Sequence, residues 1–413
     1  MKDFLFAALR LLPFWTFPLG FICFELAVYF IAFPVLVAVC VASRVVRYRE
    51  DASPRLFWGC DPILNIKYWS ASLSKKYSTK TFVYEIYSIH ERRDFDVVFD
   101  SPMGGRIDAV RYCLAAIYAI WNFDIFHIAF SGGPLGRSRL AFFEPFLFSL
   151  ADKKVVVFAY GSDAFVYGRI RDTSMQHAIQ ISYPKAAKLQ KKIGRQVSRW
   201  VKHADIVLGS MMDLDGIGRW DLCTHSNLCI DTDRWDRRHF DNRRDKMADK
   251  RTVVGHSPNH RGVKGTEYLL SAVKKLQAEG LNIELKLIEG ATNERVREIL
   301  ACEVDILVEQ LIMPGHGLSG IEGMALGLPV IGNMENLEYT MLFRRYSFLD
   351  ECPMISAPPE ELAKILKHLV QSAGVRAEIG QAGRRYVEKY HSYEASLFMF
   401  ESIYQKIWNK QEI

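Results

Sequence analysis

Between Gly315 and Gly332 the chain reads GHGLSGIEGMALGLPVIG. A glycine-rich loop (Gly315, Gly317, Gly320) follows the apolar run Ile306–Glu309 and opens a helix expected over Ile321–Leu326, which carries Glu322. Free N–H groups at a helix start, with glycines permitting close approach, hold anions such as phosphate. A carboxylate in the first helical turn can accept hydrogen bonds from sugar hydroxyls, as acidic residues do with ribose in dinucleotide-binding folds. The same string also fits a tight strand–helix turn in which Glu322 only complements the helix dipole. Upstream, NHRGVKGTEY (Asn259–Tyr268) places Arg261 and Lys264 in a glycine-containing turn. Both can neutralise a diphosphate, Arg by bidentate contact and Lys as a point charge. Standing alone, such a pair is a solvated basic turn.

Three further groups lie in the first half. YGSDAF (Tyr160–Phe165) closes a buried apolar run, and Asp163 there either binds sugar hydroxyls or, with Ser162, caps a helix. In HIAFSGG, His127 either faces a cleft or is a satisfied, partly buried residue. Gly59 with Asn65 is a loop at a cleft floor or a simple turn.

Positioning these residues requires alternating strands and helices. Strands are expected at 55–59, 81–87, 97–99, 125–130, 154–159 and 205–208, with helices at 67–76, 109–120, 140–150 and 174–203. A second series has strands at 252–255, 283–289, 306–309 and 329–332, and helices at 266–279, 294–302, 321–326, 360–372 and 375–390. Such alternation implies parallel sheets covered by helices. The layout is a membrane-associated segment over 1–50, a Rossmann-like acceptor-side domain over 55–235 and a charged, exposed linker over 236–250. A Rossmann-like nucleotide-binding domain follows over 251–390, and a C-terminal segment over 391–413. Two α/β domains facing each other make a cleft, and clefts between domains bind ligands.

With 413 residues, 24% charged and 49% hydrophobic, the composition is that of a globular chain and excludes bulk disorder, collagen-like structure and a polytopic transporter. A net charge of +6 gives no argument for nucleic acid. The mean hydropathy of -0.01 is high for this charge content, and the excess sits in Leu11–Ala42, with Glu25 its sole charge. About 20 apolar residues span a bilayer. This stretch, broken by Pro13, Pro18 and Pro34, is either one span, 17–41, or a kinked re-entrant helix. Arg44, Arg47 and Arg49 against Lys2 and Arg10 bias the large C-terminal part to the cytoplasmic face. The eight scattered cysteines fit reduced thiols better than zinc or disulfides.

The strings VDILVEQLIMPGHGLSGIEGMALGLPVIG, KGTEYLLSAVKKL and EIGQAGRRYVEKYHS together resemble the GT-B-fold retaining glycosyltransferases of family 4 (glycosyl transferases group 1). FHIAFSGGPL, YGSD, HADIVLGS, RWDL and IDTDRW resemble a bacterial envelope-polysaccharide subgroup. The resemblance implies two Rossmann-like domains facing across a cleft and a C-terminal helix crossing back to the first. It implies transfer from a nucleotide-diphosphate sugar to a lipid-linked or glycan acceptor at a membrane, with no nucleic acid, cofactor or metal involved. Glu322 matches the second Glu of the family's E-x7-E motif, which holds the ribose. Gly315 and Gly317 match the diphosphate loop, and Lys264 the donor-phosphate lysine. Arg261 matches more loosely. Three positions depart from the pattern: Pro314 stands at the first Glu, Tyr160 at the active-site His, and His316 at the aromatic of the GFG loop. Contacts to the donor sugar then fall to Glu309 or Gln310. Pro314 and Tyr160 motivate an alternative, a catalytically degenerate GT-B module that binds nucleotide or glycan as a membrane scaffold.

Overall fold

The computed structural model describes residues 18–46, 53–87, 89–101, 107–211, 213–223, 228–240 and 251–409. Two parallel sheets form from the apolar runs. The first contains β1 (Leu56–Cys60), β2 (Thr79–Val83), β3 (Val97–Val98), β4 (Ile125–Ala129), β5 (Lys154–Phe158), β6 (Ile206–Gly209) and β7 (Leu222–Cys223), in the order β3-β2-β1-β4-β5-β6-β7. The second contains β8 (Thr252–His256), β9 (Ile283–Leu287), β10 (Ile306–Val308), β11 (Val330–Gly332) and β12 (Ile355–Ser356), in the order β12-β11-β10-β8-β9. Strands β1, β4 and β8 are buried along their whole length. Burial on both faces is why parallel strands read as continuous apolar runs. Each sheet reverses direction at one point, between β1 and β4 in the first and between β8 and β10 in the second.

Parallel pairing demands crossovers, and helices supply them. The first half carries α1 (Pro18–Val46), α2 (Leu64–Leu73), α3 (Asp108–Asn122), α4 (Glu144–Leu150), α5 (Thr173–Ser182), α6 (Pro184–Lys188), α7 (Gln190–His203) and α8 (Leu214–Ile217). The second carries α9 (Arg261–Lys264), α10 (Thr266–Ala278), α11 (Asn293–Cys302), α12 (Leu318–Ala325), α13 (Leu337–Tyr346), α14 (Leu362–Gln371), α15 (Ala373–Tyr390) and α16 (Tyr393–Ile407). Helix α16 packs on β1 and α2 in the first half: the Phe400 ring lies edge-on to Trp58 of β1 at 5.1 Å, and the Ser72 hydroxyl of α2 donates to that of Ser396 at 3.3 Å.

Several elements differ from the pattern expected. The helix expected over 140–150 is a 3-10 turn, Arg139–Phe142, followed by α4. The stretch 174–203 breaks at Pro184, which cannot donate to a continuing helix. Helix α1 runs through Pro34 without a break. The charged linker is packed in part at its start, where Asp236 is buried while Arg238 and His239 are exposed. Trp235 is fully buried, and the Arg237 guanidinium donates to the Ala301 and Val304 carbonyls at 2.9 Å. Residues 241–250 of that linker, and Pro13, Arg47 and Arg49, lie outside the described residues.

Candidate active site

Ligands of open α/β sheets bind at the carboxyl ends of the strands where the strand order reverses. In the second sheet that point lies between β8 and β10. The chain leaving β8 turns through α9, which ends in Lys264, and the chain leaving β10 begins with Glu309. The two side chains meet there: the Lys264 ammonium forms a short ion pair with Glu309 and donates to the Gln310 side-chain carbonyl at 3.2 Å. The Glu309 side chain is fully buried. Its second oxygen accepts the Gly317 backbone N–H at 3.3 Å, and the first accepts the Ser319 hydroxyl at 2.9 Å. One carboxylate thus fills the anion position that the glycine loop creates. Gln310 spans the loop from inside, donating to the Pro314 and Gly315 carbonyls at 3.2 and 3.1 Å.

The glycines have separate reasons. Gly315 has φ +74°, left-handed backbone that favours glycine, and its N–H donates to the Asn333 carbonyl at 2.7 Å. Gly317 has ordinary extended backbone. A side chain there would bring a Cβ 3.2 Å from the Glu309 carboxylate oxygen and 3.8 Å from the Lys264 nitrogen. Because Gly317 is the N-cap, α12 begins at Leu318, earlier than expected. Glu322 therefore stands in the second turn and not the first.

Glu322 is buried and its Oε1 accepts the Asn293 amide at 2.8 Å. Asn293 in turn accepts the Tyr68 hydroxyl at 3.1 Å, and that hydroxyl accepts the Trp235 indole N–H at 3.3 Å. This chain of hydrogen bonds runs from α2 of the first domain into the second. Burial pushes the Glu322 carboxyl up to about 8, against the Asn293 hydrogen bond and the Lys264 charge. His256, which the sequence reading passed over, ties the site's floor together. Its Nδ1 donates to the Val308 carbonyl at 2.7 Å, which leaves Nε2 to accept the Thr266 hydroxyl at 2.9 Å.

The remaining expected residues lie elsewhere. Arg261 is exposed and held bidentately by Glu289, both bonds at 2.9 Å, and by Glu267 at 3.0 Å. His316 is buried edge-on to His391 of the C-terminal segment, centroids 5.3 Å apart, so its ring belongs to the packing of α12 on α15. His127 is fully buried and stacked on Trp58 at 3.7 Å. Its Nδ1 donates to the Phe57 carbonyl at 3.2 Å and its Nε2 accepts the Tyr404 hydroxyl at 2.9 Å. Burial lowers that imidazole to about 3. Gly59 is a close-packing position, where a Cβ would sit 2.2 Å from the Phe82 carbonyl oxygen. Asn65 is half-buried in the first turn of α2.

Asp163 is buried and accepts three backbone N–H groups, those of Phe130, Tyr160 and Gly161, each at 3.0 Å. It clamps the loops after β4 and β5. Beside it, at the reversal point of the first sheet, lies a cluster that the sequence reading missed. Asp61 follows β1, is buried, accepts a short hydrogen bond from Ser131, and pairs with Arg137 at 2.9 Å. Arg137 also pairs with Glu85 at 2.7 Å. Burial, with the Asp61 charge second, holds the Asp163 carboxyl well above the usual range. The one available signal was position: Asp61 is the first residue beyond an apolar strand.

The two domains also touch through α5, α9 and α13. Asn336 donates to Asp172 at 2.8 Å, and the Ser182 hydroxyl accepts the Val263 N–H at 3.1 Å. No family model and no curated protein sequence matches the chain. Solved structures do. Sucrose-phosphate synthase from Thermosynechococcus elongatus is 11% identical, with a TM-score of 0.53 over 88% of this chain and 97% of that one. HepE from Anabaena in complex with UDP is 13% identical, with a TM-score of 0.56 over 86% of this chain and 100% of that one. The same protein with UDP-glucose gives 0.54 over 85% and 99%, again at 13% identity. At such identities the likeness is one of fold, and the fold is GT-B: two Rossmann-like domains facing across a cleft, here preceded by an apolar helix.

Proposed function

We propose that the chain is a retaining glycosyltransferase of the family 4 type. It moves a sugar from a nucleotide-diphosphate sugar to a lipid-linked or membrane-proximal glycan acceptor, in bacterial envelope polysaccharide or glycolipid synthesis. The observation that carries the reading is the meeting of Lys264, Glu309 and the Gly317 amide at the reversal point of the second sheet, one helical turn from Glu322. The fold likeness to HepE, seen in complex with UDP and with UDP-glucose, supports the choice of donor class.

In this reading the diphosphate lies against the loop at Gly315 and Gly317, and Lys264 and the Gly317 amide stabilise the charge that develops as it departs. Preorganised donors of this kind act most strongly in a water-excluded site. Glu322 holds the ribose. Glu309 holds Lys264 in the free protein and, once the diphosphate takes its place, contacts the donor sugar, the role left open by Pro314. Arg261 joins by exchanging Glu289 for phosphate. Neither a metal nor a cofactor enters the scheme. Asp61, Arg137 and Asp163 form the acceptor side. Helix α1, long and apolar enough to cross a membrane, holds the enzyme where a lipid-linked acceptor resides, on the cytoplasmic face, and so raises the effective concentration of that acceptor.

The test is transfer from a panel of labelled nucleotide sugars to lipid in membranes that carry the protein. We expect transfer from at least one donor, lost in Lys264→Ala and in Glu322→Ala. Donor binding without hydrolysis or transfer would favour the scaffold alternative, and full activity in both variants would refute the site.

A further inference from the structure

Helix α1 is not a free rod. Tyr29, Leu36, Cys40 and Ser43 are buried against the first domain. Glu25 pairs with Arg139 at 2.9 Å, the Phe33 ring lies 5.0 Å from Phe143, and the Ser43 hydroxyl donates to the Ile120 carbonyl at 3.1 Å. From Glu25 to Ser43 the helix advances about 27 Å at 1.5 Å per residue. A span needs about 30 Å surrounded by hydrocarbon. To cross, α1 would have to carry α3 and α4, with Arg111, Asp108 and Arg139, into the bilayer.

The opposite face of α1 is apolar and open. Phe30, Ile31, Val41 and Val45 are exposed there, Phe30 at 83%, with Leu26 and Val35 flanking them. The stripe continues onto the domain through Phe143, Phe146 and Phe142, the last 70% exposed. Directly beyond Phe142 opens a groove of about 780 Å³ along α7. Its charged lining is Arg169, Lys191, Arg195, Arg199 and Lys202, with no carboxylate. The reason is the pattern of α7: Ile193, Val197 and Trp200 face the core, so the basic residues face out. Arg199 joins stripe to groove, its guanidinium 5.4 Å over the Phe142 ring. Lys191, Arg195 and Lys202 are exposed and, among the described residues, form no ion pair.

An apolar stripe bordered by unpaired cations fits an interface with acyl chains on one side and anionic headgroups on the other. A nucleic acid would leave the aromatic stripe in water, and a second copy of the chain would set like charges against each other. We propose that this face seats the protein on a single leaflet, with α1 lying in the membrane plane and the α7 groove taking the phosphates of anionic phospholipid headgroups. The inference rests on the membrane association proposed above and replaces its choice of span or re-entrant helix with a monotopic seat.

The experiment is flotation of the full chain, added from detergent to preformed vesicles of phosphatidylcholine alone or of phosphatidylcholine with phosphatidylglycerol. The chain is expected on both, more tightly on the mixed vesicles and less so as salt rises. Lys191→Glu/Arg195→Glu changes two exposed side chains and is expected to weaken binding to the mixed vesicles at least about tenfold, with binding to phosphatidylcholine unchanged. The milder Lys191→Gln/Arg195→Gln keeps the test alive should charge reversal disturb folding. Protease added outside is expected to remove tags from both ends of the vesicle-bound chain. Equal binding to the two vesicle types, or equal binding by variant and parent, would overturn the groove while leaving membrane association standing. Removal of one tag alone would overturn the monotopic seat, and binding to neither vesicle would overturn membrane association itself. Dimerisation through this face, read by light scattering and lost in the variant, would also overturn the proposal.

Discussion

Glu309 and Lys264 are the residues on which the site depends most. Removing one partner of a buried ion pair costs about 3–5 kcal/mol, because the other charge is left uncompensated, whereas replacing both can be neutral. Lys264→Met is therefore expected to lower the denaturation midpoint sharply, and Lys264→Met/Glu309→Leu to recover most of the loss. A double variant no more stable than the single one would show that the pair is not the source of the effect. Glu322 makes a separate prediction. Its folded carboxyl titrates near 8, against an ordinary 4.5. Between those values the unfolded chain has released the proton and the folded chain retains it, so stability falls as pH rises through that window. Glu144 and Asp213, both pushed up to about 7 by burial, add to the fall over its lower part. Glu322→Gln is expected to flatten the stability profile, most clearly between 7 and 8, as read by denaturant midpoints at several pH values. An unchanged slope there would contradict the burial of an ionisable Glu322.

At the scale of elements, α16 does the most to join the halves. Phe400 packs edge-on to Trp58 and Trp69, and Tyr404 completes the hydrogen bonding of His127. Phe400→Ala is expected to cost about 3–5 kcal/mol in chemical denaturation, as large cavities in cores do. A loss within the noise of a surface substitution would mean that α16 is loosely attached. The alternation of strands and helices was legible because buried parallel strands are apolar throughout and their helices are amphipathic. The glycine loop was legible for a related reason, since an anion turn needs glycines in one short string. Other features were not. The sequence does not show that Gly317 caps α12 and moves Glu322 into the second turn. It does not show that Trp235, set in a charged stretch, is buried against Tyr68. Asp61 and Arg137, 76 positions apart, become a cluster only when β1 and β4 pair. His127 looked like a site residue by type and place, but its hydrogen-bonding capacity is taken up by Phe57 and Tyr404.

For the whole molecule, the domains are coupled at the point where the donor is proposed to sit. Trp235, Tyr68, Asn293 and Glu322 form one line of hydrogen bonds across the domain boundary. Asn293→Ala leaves the buried Glu322 carboxyl without its donor, a loss of about 1–3 kcal/mol, and is expected to weaken nucleotide binding together with stability. Tyr68→Phe keeps the packing and removes only this hydrogen-bonded link, one of several between the domains. The central claim is that a nucleotide diphosphate binds where Lys264 and the Gly317 amide now hold Glu309. The most direct test is a titration of the full chain with UDP-, GDP- and ADP-sugars, followed by thermal unfolding, in the parent and in Lys264→Ala. A ligand at 100 times its Kd adds roughly 2.7 kcal/mol of stability. We predict that at least one nucleotide sugar stabilises the parent by this order and that Lys264→Ala loses at least about tenfold in affinity for it, or about 1.4 kcal/mol. Equal affinity in the two proteins, or no stabilisation by any donor in the parent, would contradict the account.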